Sequence, residues 1–495
     1  MDIGHNLCVN VFLRAENYPE RLAFSSLERS LTYRQLQERV LQAAAAFREN
    51  GINARSCVAL DTRTSLTSLT ATLALALLGC KWVFASREAV GNPLLFITHL
   101  VQDEPRNRPH RYERVNMDET WYSGRVFESS LAHPSFAGPL EPERILVIGQ
   151  SSGTTGEPKF FPITAENARK RADPKYLLDP TPIPVVASLF HVLHAAIFFG
   201  LLRVFAKGGT LVFGINKAHW QEAGVTLVLA SPMHAAQIFE GRAGPARGKI
   251  PRLWVTGSPI YPAFLDQALD HFDEVVNSYG SIEASVVCHQ VIKNRVAEGD
   301  IVGVGSAMYD HVLEVVDESG LSVKPGAVGE VRYQSPLLTT GYIGDSTATK
   351  TFFRDGWFYP GDIGYLDSKK QLFITGRIND LLNIGGTKLN AATVDGVILS
   401  VPEIADGTCF SEPGPSGFEQ LSVVAVPKDG EDHSKMASGL LKGLAKRFAR
   451  DLIPRSVYIA EAIPRNENGK VLRNMVREKA QSGVWRQVTL EKEQP

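Results

Sequence analysis

One short segment combines glycines, hydroxyl side chains and a lysine, the residue types that bind phosphate. It reads Gly149-Gln-Ser-Ser-Gly-Thr-Thr-Gly-Glu-Pro-Lys159 and directly follows the apolar run ILVI. Glycines allow the backbone to turn several N–H groups toward one anion, and the lysine adds a positive charge. The four hydroxyl donors are Ser151, Ser152, Thr154 and Thr155. The segment predicts a phosphate-binding loop, which differs from a Walker A loop because no Gly-Lys-Ser/Thr opens a helix behind it.

Two acidic residues, an arginine and a lysine further along the chain stand in short motifs rich in turn residues. Glu283 closes the motif YGSIE, Asp362 lies in YPGDIG, and Arg377 lies in GRINDLLNIGG. Lys470 follows the tight-turn dipeptide Asn-Gly in PRNENGKVLR, and such a turn can present a side chain at a loop tip. Carboxylate oxygens suit a hard cation such as Mg²⁺, and cationic side chains suit phosphate. Taken singly, each of these residues is typical of a solvated surface position.

The composition limits the classes of protein to which the chain can belong. Its 495 residues include 52 basic and 53 acidic side chains, and a net charge of −1 argues against nucleic-acid binding. Five scattered cysteines without a CxxC pair indicate reduced thiols. The longest uncharged stretch, 65–80, is shorter than the roughly 18 residues that span a bilayer, and no basic segment typical of a secretory signal opens the chain. We therefore expect a cytoplasmic multidomain protein without a membrane span.

The elements that must position these motifs follow two different patterns. The first part of the chain alternates strand-like and helix-like segments, which is typical of parallel βαβ units. A helix is expected over 31–47 with Thr32 as its N-cap, and a buried helix over 65–78. Strands are expected at 145–148, 184–189, 227–230 and 253–256. After about residue 302, alternating segments broken by Gly, Pro and Asp predict an antiparallel β subdomain, whereas 87–139 receives no assignment.

Together the motifs resemble, in the same order, those of the AMP-forming adenylating superfamily, which includes acyl- and aryl-CoA synthetases, adenylation domains of peptide synthetases and luciferases. The resemblance also includes LTYRQL near the N-terminus and SLFHVLH at 188–194, and it spans nearly the whole chain. It implies an α/β fold with a large N-terminal domain, 1–377, made of parallel βαβ subdomains plus a β subdomain. A hinge at 378–380 would join it to a small, mobile α+β C-terminal domain, 381–495.

The resemblance implies that ATP converts a carboxylic acid into an acyl-adenylate, with release of pyrophosphate, and that the acyl group then passes to a thiol. The implied ATP-binding residues are Ser151, Ser152, Gly153, Thr154, Thr155, Gly156, Lys159, Tyr279, Gly280, Asp362 and Arg377. In this set Tyr279 would stack on adenine and Asp362 would accept hydrogen bonds from the ribose. Glu283 would hold Mg²⁺. Lys470 would neutralise the charge that develops between the acid and the α-phosphate during adenylation.

The same resemblance implies where the acid and the thiol bind. His191 would be a second catalytic residue, near the acid carboxylate. The acid pocket would be formed by His191, His194, Ser258, Ser278 and Gly280, with further contributions from 188–199, 230–234, 256–260 and 278–288. Because SLFHVLHAA has no acidic residue to pair with an amine, we expect an aryl or aliphatic acid and not an α-amino acid. Asn379 would lie in the hinge, and Gly385 and Gly386 would line the thiol tunnel.

The chain departs from the family pattern at Ile282, where threonine is usual, and at Phe160, where glycine is usual. The leading hypothesis is an acid–thiol ligase that uses coenzyme A. The alternatives are a stand-alone enzyme that loads the phosphopantetheine of an acyl-carrier protein, and a catalytically weak acyl- or nucleotide-binding protein. A luciferase-type oxygenase shares the adenylation motifs and stays open. An NAD-dependent oxidoreductase is disfavoured because no strand is followed by GxGxxG.

Overall fold

The computed structural model describes most of the chain, in segments that are separated by short gaps. The described residues are 6–104, 112–122, 140–151, 158–239, 241, 248–297, 301–384, 387–414, 419–428, 430–448, 452–454, 456–465 and 471–489. Several predicted site residues lie outside these segments. They are Ser152, Gly153, Thr154, Thr155, Gly156, Gly385, Gly386 and Lys470.

A six-stranded sheet carries the predicted phosphate loop. Its strands are β3 (Cys57–Asp61), β4 (Lys81–Phe84), β5 (His99–Gln102), β6 (Glu113–Asn116), β7 (Ile145–Ser151) and β8 (Lys159–Thr164). In the order β6-β5-β3-β4-β7-β8 all neighbours are parallel except β7 and β8, which form an antiparallel hairpin. The nearby helices are α1 (Val9–Asn17), α2 (Tyr33–Glu49), α3 (Ser65–Leu77), α4 (Arg87–Gly91) and α5 (Ala165–Arg171).

A nine-stranded sheet forms the second layer. Its strands are β1 (Leu22–Ser25), β2 (Ser30–Thr32), β9 (Val185–Ser188), β10 (Thr210–Phe213), β11 (Leu227–Ala230), β12 (Ile250–Val255), β13 (Phe272–Ser281), β14 (Ser285–Ile292) and β15 (Ser306–Ala307). Its helices are α6 (Ala195–Ala206), α7 (Lys217–Glu222), α8 (Pro232–Phe239) and α9 (Pro262–His271). The chain places β10 on one side of β9 and β11 on the other. The carboxyl ends of β9 and β11 therefore flank a topological switch point, where open α/β sheets bind ligands.

An antiparallel β subdomain follows, as the alternating pattern after residue 302 predicts. Its strands are β16 (Val312–Val316), β17 (Gly329–Gln334), β18 (Phe353–Arg354), β19 (Trp357–Phe358), β20 (Asp362–Leu366) and β21 (Leu372–Arg377), with α10 (Ser346–Phe352) beside them. All of its strand pairs are antiparallel. A 3₁₀ turn, Ile378–Asp380, comes directly after β21.

The C-terminal part has its own mixed sheet and core. A hairpin of β22 (Leu381–Ile384) and β23 (Thr387–Asn390) precedes the sheet strands β24 (Ile404–Pro413), β25 (Glu419–Pro427), β26 (Ser456–Ile459) and β27 (Arg486–Thr489). Its helices are α11 (Ala391–Leu399), α12 (His433–Ala445) and α13 (Arg473–Gln481). One apolar cluster joins α11, α12 and this sheet, separate from the cluster that joins both N-terminal sheets. The predicted α/β class, with its β subdomain and smaller α+β C-terminal part, is confirmed.

Local sequence explains several of these elements. The Thr32 side chain accepts from the Gln35 N–H while the Gln35 side chain accepts from the Thr32 N–H, so a capping box begins α2. In the buried helix α3 the hydroxyl of Thr72 donates to the Ser68 carbonyl, which satisfies a polar side chain without water. No helix in the described part of the chain has both the length and the apolar character to cross a membrane.

The segment 87–139, which received no assignment, contributes two strands that the sequence pattern did not reveal. Both β5 and β6 add parallel pairs to the outer side of β3. Each is only four residues long, and β6 is exposed at three of its four positions, so neither shows the apolar run of a central strand.

Candidate functional site

Three residues that are distant in sequence meet where the β subdomain adjoins the nine-stranded sheet. Tyr279 lies near the end of β13, Asp362 begins β20, and Arg377 ends β21 directly opposite Asp362. The Tyr279 hydroxyl donates to Oδ2 of Asp362 at 2.5 Å, and Arg377 Nε donates to Oδ1 at 2.8 Å. Both oxygens of one buried carboxylate are thus held by the two other predicted ATP-binding residues. We call this set the ribose-side cluster.

The charges of the ribose-side cluster stabilise one another. The Asp362 carboxylate raises the pKa of Arg377 above its usual range. Burial, and then the Asp362 charge, raise the pKa of Tyr279 well above that of a free tyrosine, so Tyr279 stays protonated and donates. The cluster therefore presents a carboxylate, a guanidinium and an aromatic ring in a defined geometry. Each Asp362 oxygen has a second lone pair that can accept from a hydroxyl of a ligand.

Gly280 lies near the end of β13, and Glu283 lies in the turn that connects β13 to β14. A Cβ atom at Gly280 would collide with the carbonyl oxygen of Ser285, so only glycine fits beside the bulge at this point. The Glu283 side chain is buried, and its Oε1 accepts from the Tyr342 hydroxyl at 2.9 Å. Burial and the Glu283 charge raise the pKa of Tyr342, which therefore remains a donor.

This carboxylate fits the predicted role of a Mg²⁺ ligand. Its two oxygens are hard donors, and Mg²⁺ bound with nucleotides takes only one or two protein carboxylates beside the phosphates. The hydrogen bond from Tyr342 engages one oxygen of Glu283 and orients the group, as supporting hydrogen bonds commonly do for metal ligands.

The base of the phosphate loop is a regular hairpin. Ser151 at the end of β7 pairs with Lys159 at the start of β8, and the Ser151 hydroxyl lies 3.5 Å from the Lys159 carbonyl oxygen. The Lys159 ammonium lies 5.7 Å from the ring centre of Phe352. Phe160, the bulky departure from the family pattern, is buried in the core next to β3 and β7. Its side chain therefore packs on the inner side of the hairpin.

His191 connects the carboxyl edges of the two sheets. It follows β9, and its Nε2 lies 2.8 Å from the carbonyl oxygen of Arg63, which follows β3. Nε2 must carry the proton that is donated to this carbonyl, so Nδ1 is free to accept from the Leu193 N–H at 3.3 Å. Burial is the main cause that lowers the pKa of His191. The imidazole is therefore neutral at pH 7.

Phe190, His194 and His234 meet at the switch point of the nine-stranded sheet, and we call them the acid-side cluster. The Phe190 ring centre lies 5.2 Å from those of His194, just before α6, and His234, on α8. Burial lowers the pKa of His234, and its buried Nδ1 has no hydrogen-bond partner among the described residues. The cluster is thus aromatic and polar without an acidic group among its members.

The predicted serines of the acid pocket have different surroundings. Ser278 is buried, and its hydroxyl accepts from Trp254 Nε1 at 2.7 Å and donates to the Val255 carbonyl at 3.2 Å. Its hydroxyl therefore connects β12 to β13. Ser258 is half-buried in the turn that follows β12.

The predicted hinge lies within the described residues, and the lysine loop is described up to Arg465 and from Val471 onward. Asn379 is in the 3₁₀ turn Ile378–Asp380, whose first N–H donates to the Gly361 carbonyl at 2.8 Å. Arg465 and Val471 form a bridge on either side of the segment that contains Lys470. Arg473 then lies 3.8 Å from Asp380 and also pairs with Asp395. The base of the lysine loop is thereby connected to the predicted hinge.

Two residues that sequence reasoning missed lie directly behind Glu283. Tyr342 stands in TTGYIGD, whose glycines and tyrosine gave only a weak signal. Arg171 is fully buried and donates to the carbonyl oxygens of Ile282 at 2.8 Å and of Glu283 at 2.5 Å. An arginine whose distant acceptors are all backbone carbonyls carries no motif, so nothing in the sequence distinguished it from Arg169 in the same helix.

A cluster of charged and polar residues from the adenylating motifs, at the junction of the nine-stranded sheet and the β subdomain, fits an ATP-using enzyme of the adenylating class. The family model described as AMP-binding enzyme matches residues 11–343. The chain belongs to the AMP-binding enzyme family.

Curated relatives agree with this assignment, and a solved structure shares the fold. The indoleacetate–CoA ligase of Aromatoleum aromaticum is 28% identical over 490 residues, which cover 93% of this chain and 95% of that protein. A probable CoA ligase from Humulus lupulus is 28% identical over 356 residues, and the chain spans 66% of its length. The o-succinylbenzoate-CoA synthetase of Bacillus subtilis, in complex with its acyl-adenylate intermediate, superposes with a TM-score of 0.81 at 20% identity. That alignment covers 94% of this chain and 97% of the other.

Proposed function

We propose that this chain is an AMP-forming acid–thiol ligase that makes an acyl-adenylate from ATP and a carboxylic acid, and then an acyl-CoA. The observation that carries this proposal is the ribose-side cluster, in which Tyr279, Asp362 and Arg377 meet through both oxygens of one carboxylate. The three residues come from separate motifs that match one nucleotide-binding role, and a purely structural ion pair would not require a tyrosine beside it. The names of the relatives, which are CoA ligases, support the thiol.

In this proposal the chain's own residues hold the reactants in line and stabilise charge. Asp362 accepts from the ribose hydroxyls, Tyr279 stacks on adenine, and the hairpin from Ser151 to Lys159 binds the β- and γ-phosphates. Lys470 places an ammonium between the acid carboxylate and the α-phosphate, where negative charge develops in the displacement. Glu283 would hold Mg²⁺, which supplies charge neutralisation to the phosphates when bound. His191 lies at the junction of the two sheets and is assigned to the acid carboxylate.

We infer that the acid has an apolar, aryl or aliphatic body. The acid-side cluster offers an aromatic ring and two imidazoles, of which His234 has a pKa lowered by burial. A cationic α-amino group would find no carboxylate in this cluster, and burying it unpaired would be costly. The acid in the name of the Aromatoleum relative, indoleacetate, has an aromatic body of this kind.

Coenzyme A is proposed as the acceptor, and the phosphopantetheine of an acyl-carrier protein is the competing one. Gly385 and Gly386 would line the tunnel for either thiol, since both present the same pantetheine arm. We propose a cytoplasmic location, which the five buried, free cysteines support because thiols persist in a reducing compartment.

Acid-dependent ATP–pyrophosphate exchange tests the first half-reaction. The panel contains aryl, arylacetic, fatty, dicarboxylic and α-amino acids, and we expect exchange with aryl or aliphatic acids only. Lys470→Ala should reduce exchange by about 10²- to 10³-fold while ATP still binds. The matched control is Lys479→Ala, since Lys479 is exposed on α13. No exchange with any acid despite intact ATP binding would contradict the proposal and favour a catalytically weak binding protein.

The thiol is tested with the acid that the panel identifies. We expect saturable acyl-CoA formation with free coenzyme A at a rate comparable to adenylation. If product forms only on a holo-carrier protein, the carrier protein and not coenzyme A is the acceptor, and the proposed first half-reaction is unchanged.

A further inference from the structure

Arg171 ends α5, the helix that follows the phosphate hairpin directly. Its side chain is 1% exposed. Nε donates to Asn167 Oδ1 at 2.6 Å, and Nη1 donates to the Ile282 carbonyl at 2.8 Å. Nη2 donates to the carbonyl oxygens of Glu283 at 2.5 Å and Leu337 at 2.8 Å. One planar guanidinium thus connects the phosphate hairpin to two distant segments of the site.

The acceptors of this guanidinium are unusual. A buried guanidinium is normally paired with a carboxylate, because an unpaired charge is expensive to remove from water. Within the described part of the chain Arg171 forms no ion pair, and its acceptors are one amide oxygen and three backbone carbonyls. Burial lowers its pKa to about 9, so it remains charged at neutral pH. Burying this guanidinium costs free energy, and its planar fork of N–H donors fixes the directions of several carbonyls at once.

The segments that Arg171 holds are those that orient the Glu283 carboxylate. Its bonds to the carbonyls of Ile282 and Glu283 fix the backbone on both sides of the Glu283 Cα. Leu337 begins the stretch that ends at Tyr342, whose hydroxyl donates to Glu283 Oε1. In the same stretch, Asn167 Nδ2 lies 3.3 Å from the Leu338 carbonyl.

A second buried arginine holds the first. Arg203 Nε donates to the Arg171 carbonyl at 2.8 Å, and its Nη2 lies 3.2 Å from the hydroxyl of Ser285. Ser285 has a left-handed backbone, with φ of 63°, at the point where β14 leaves the Glu283 turn. The Glu283 turn is therefore held by guanidinium donors on both sides. Ile282 has no side-chain hydroxyl, and Arg171 contacts this turn through its backbone carbonyls.

We propose that Arg171 is the positioning residue that sets the Mg²⁺ requirement of nucleotide binding, by holding Glu283 in register with the phosphate hairpin. The inference rests on the proposed function, in which Glu283 is the metal ligand. Arg171 contacts neither the nucleotide nor the metal in this scheme. It acts on the ligand's backbone, as a supporting residue whose loss typically costs 10- to 100-fold in metal affinity.

Calorimetric ATP binding over a Mg²⁺ titration, without any acid, tests the proposal. Arg171→Lys keeps the charge but loses the planar fork, and Arg171→Met removes both. We expect the half-saturating Mg²⁺ concentration to rise by about 10-fold or more in Arg171→Lys, while weak ATP binding without Mg²⁺ is unchanged. Arg169→Lys and Arg169→Met are matched controls, because Arg169 is exposed on the same helix. Both should behave as the wild type.

The outcomes separate this inference from the proposed function. Arg171→Lys with a wild-type melting temperature and a Mg²⁺ requirement within twofold of the wild type would overturn the inference. A uniform loss of ATP affinity, with or without Mg²⁺, would also overturn it and indicate a merely structural role. If neither Arg171 variant folds, Asn167→Ala is the deciding variant. We expect it to raise the half-saturating Mg²⁺ concentration by a smaller factor, and the absence of any rise would contradict the inference. Absence of Mg²⁺-dependent ATP binding in the wild type would instead count against the proposed function.

Discussion

The ribose-side cluster and the acid-side cluster are built on different physical principles. Tyr279, Asp362 and Arg377 bind one another through charge-assisted hydrogen bonds of 2.5 and 2.8 Å. Phe190 and its two histidines instead pack ring against ring, at 5.2 Å between centres. The first arrangement is set before any ligand arrives and suits one invariant substrate. The second is proposed to select the acid by shape and neutrality, so we expect small changes in these rings to change which acid fits.

The largest effect is expected from a substitution that breaks the ribose-side cluster. Asp362→Ala removes the acceptor shared by Tyr279 and Arg377 and the contact proposed for the ribose. Hydrogen bonds to charged groups contribute about 1.5–3 kcal/mol each, so the Kd for ATP should rise by roughly 10- to 100-fold. Calorimetric ATP binding measures this change. The matched control is Asp355→Asn, since Asp355 is exposed in the same β subdomain, and an unchanged ATP Kd in Asp362→Ala would contradict the assigned contact.

The second prediction separates the two clusters. His191→Asn removes the hydrogen bond from Nε2 to the Arg63 carbonyl, which joins the edges of the two sheets beside the acid-side cluster. One such bond contributes about 1 kcal/mol, so KM for the acid should rise by roughly 5-fold with the ATP Kd unchanged. Steady-state kinetics at saturating ATP test this. His433→Asn, on α12 of the C-terminal part, is the control. An equal rise in the KM for the acid and in the Kd for ATP would mean that the two clusters are coupled.

The third prediction concerns Glu283, the proposed metal ligand. Tyr342→Phe removes only the hydroxyl that donates to Glu283 and keeps the ring that packs against Phe352 and Phe353. The half-saturating Mg²⁺ concentration for ATP binding should rise by about 5-fold, the equivalent of one neutral donor of about 1 kcal/mol. Tyr309→Phe, at an exposed tyrosine, should have no effect. An unchanged Mg²⁺ requirement in Tyr342→Phe would contradict the proposal that the Tyr342 hydroxyl orients Glu283 for the metal.

The smallest effect is that of pH on stability. Burial lowers the folded-state pKa of His191, His234 and His311 below the ordinary value of 6.5. As pH falls below 6.5 the unfolded chain protonates first, so the free energy of unfolding decreases. Thermal unfolding at pH 7.5, 6.5 and 5.5 measures this. In His311→Gln the decrease in the free energy of unfolding between pH 6.5 and 5.5 should be smaller. Nδ1 of His311 donates to the Met308 carbonyl, so the proton that charges the ring binds the buried Nε2, which has no partner among the described residues. A steeper loss in that variant would contradict the assignment.

The groups of the proposed nucleotide site could be identified in the sequence because their chemistry is local. The Ser/Thr/Gly loop, the turn at Tyr279–Glu283 and the Asp362 and Arg377 motifs each keep their chemical groups within a few residues, and the strands before them are short apolar runs. The N-cap at Thr32 was predictable for the same reason, since a capping box spans three residues.

The remaining features depend on contacts between remote parts of the chain. Arg171 reaches carbonyls that are 111, 112 and 166 residues away, and His191 reaches Arg63 across 128 residues. Backbone carbonyls are the same at every residue, so such a partner leaves no mark in sequence. The strands β5 and β6 were missed for a related reason, because the pairing of such short strands is decided by their neighbours in the sheet.

The amino-acid sequence by itself determined which chemical groups this protein has and the class of reaction they serve. Residue types and their local spacing identified the groups of the predicted phosphate loop and of the other adenylation motifs, and with them the family. Only the tertiary structure decided which groups meet, which charges are buried and which residue holds Glu283. Those outcomes depend on how sheets and helices pack, since packing brings distant backbone within hydrogen-bonding range and excludes the water that would otherwise compete.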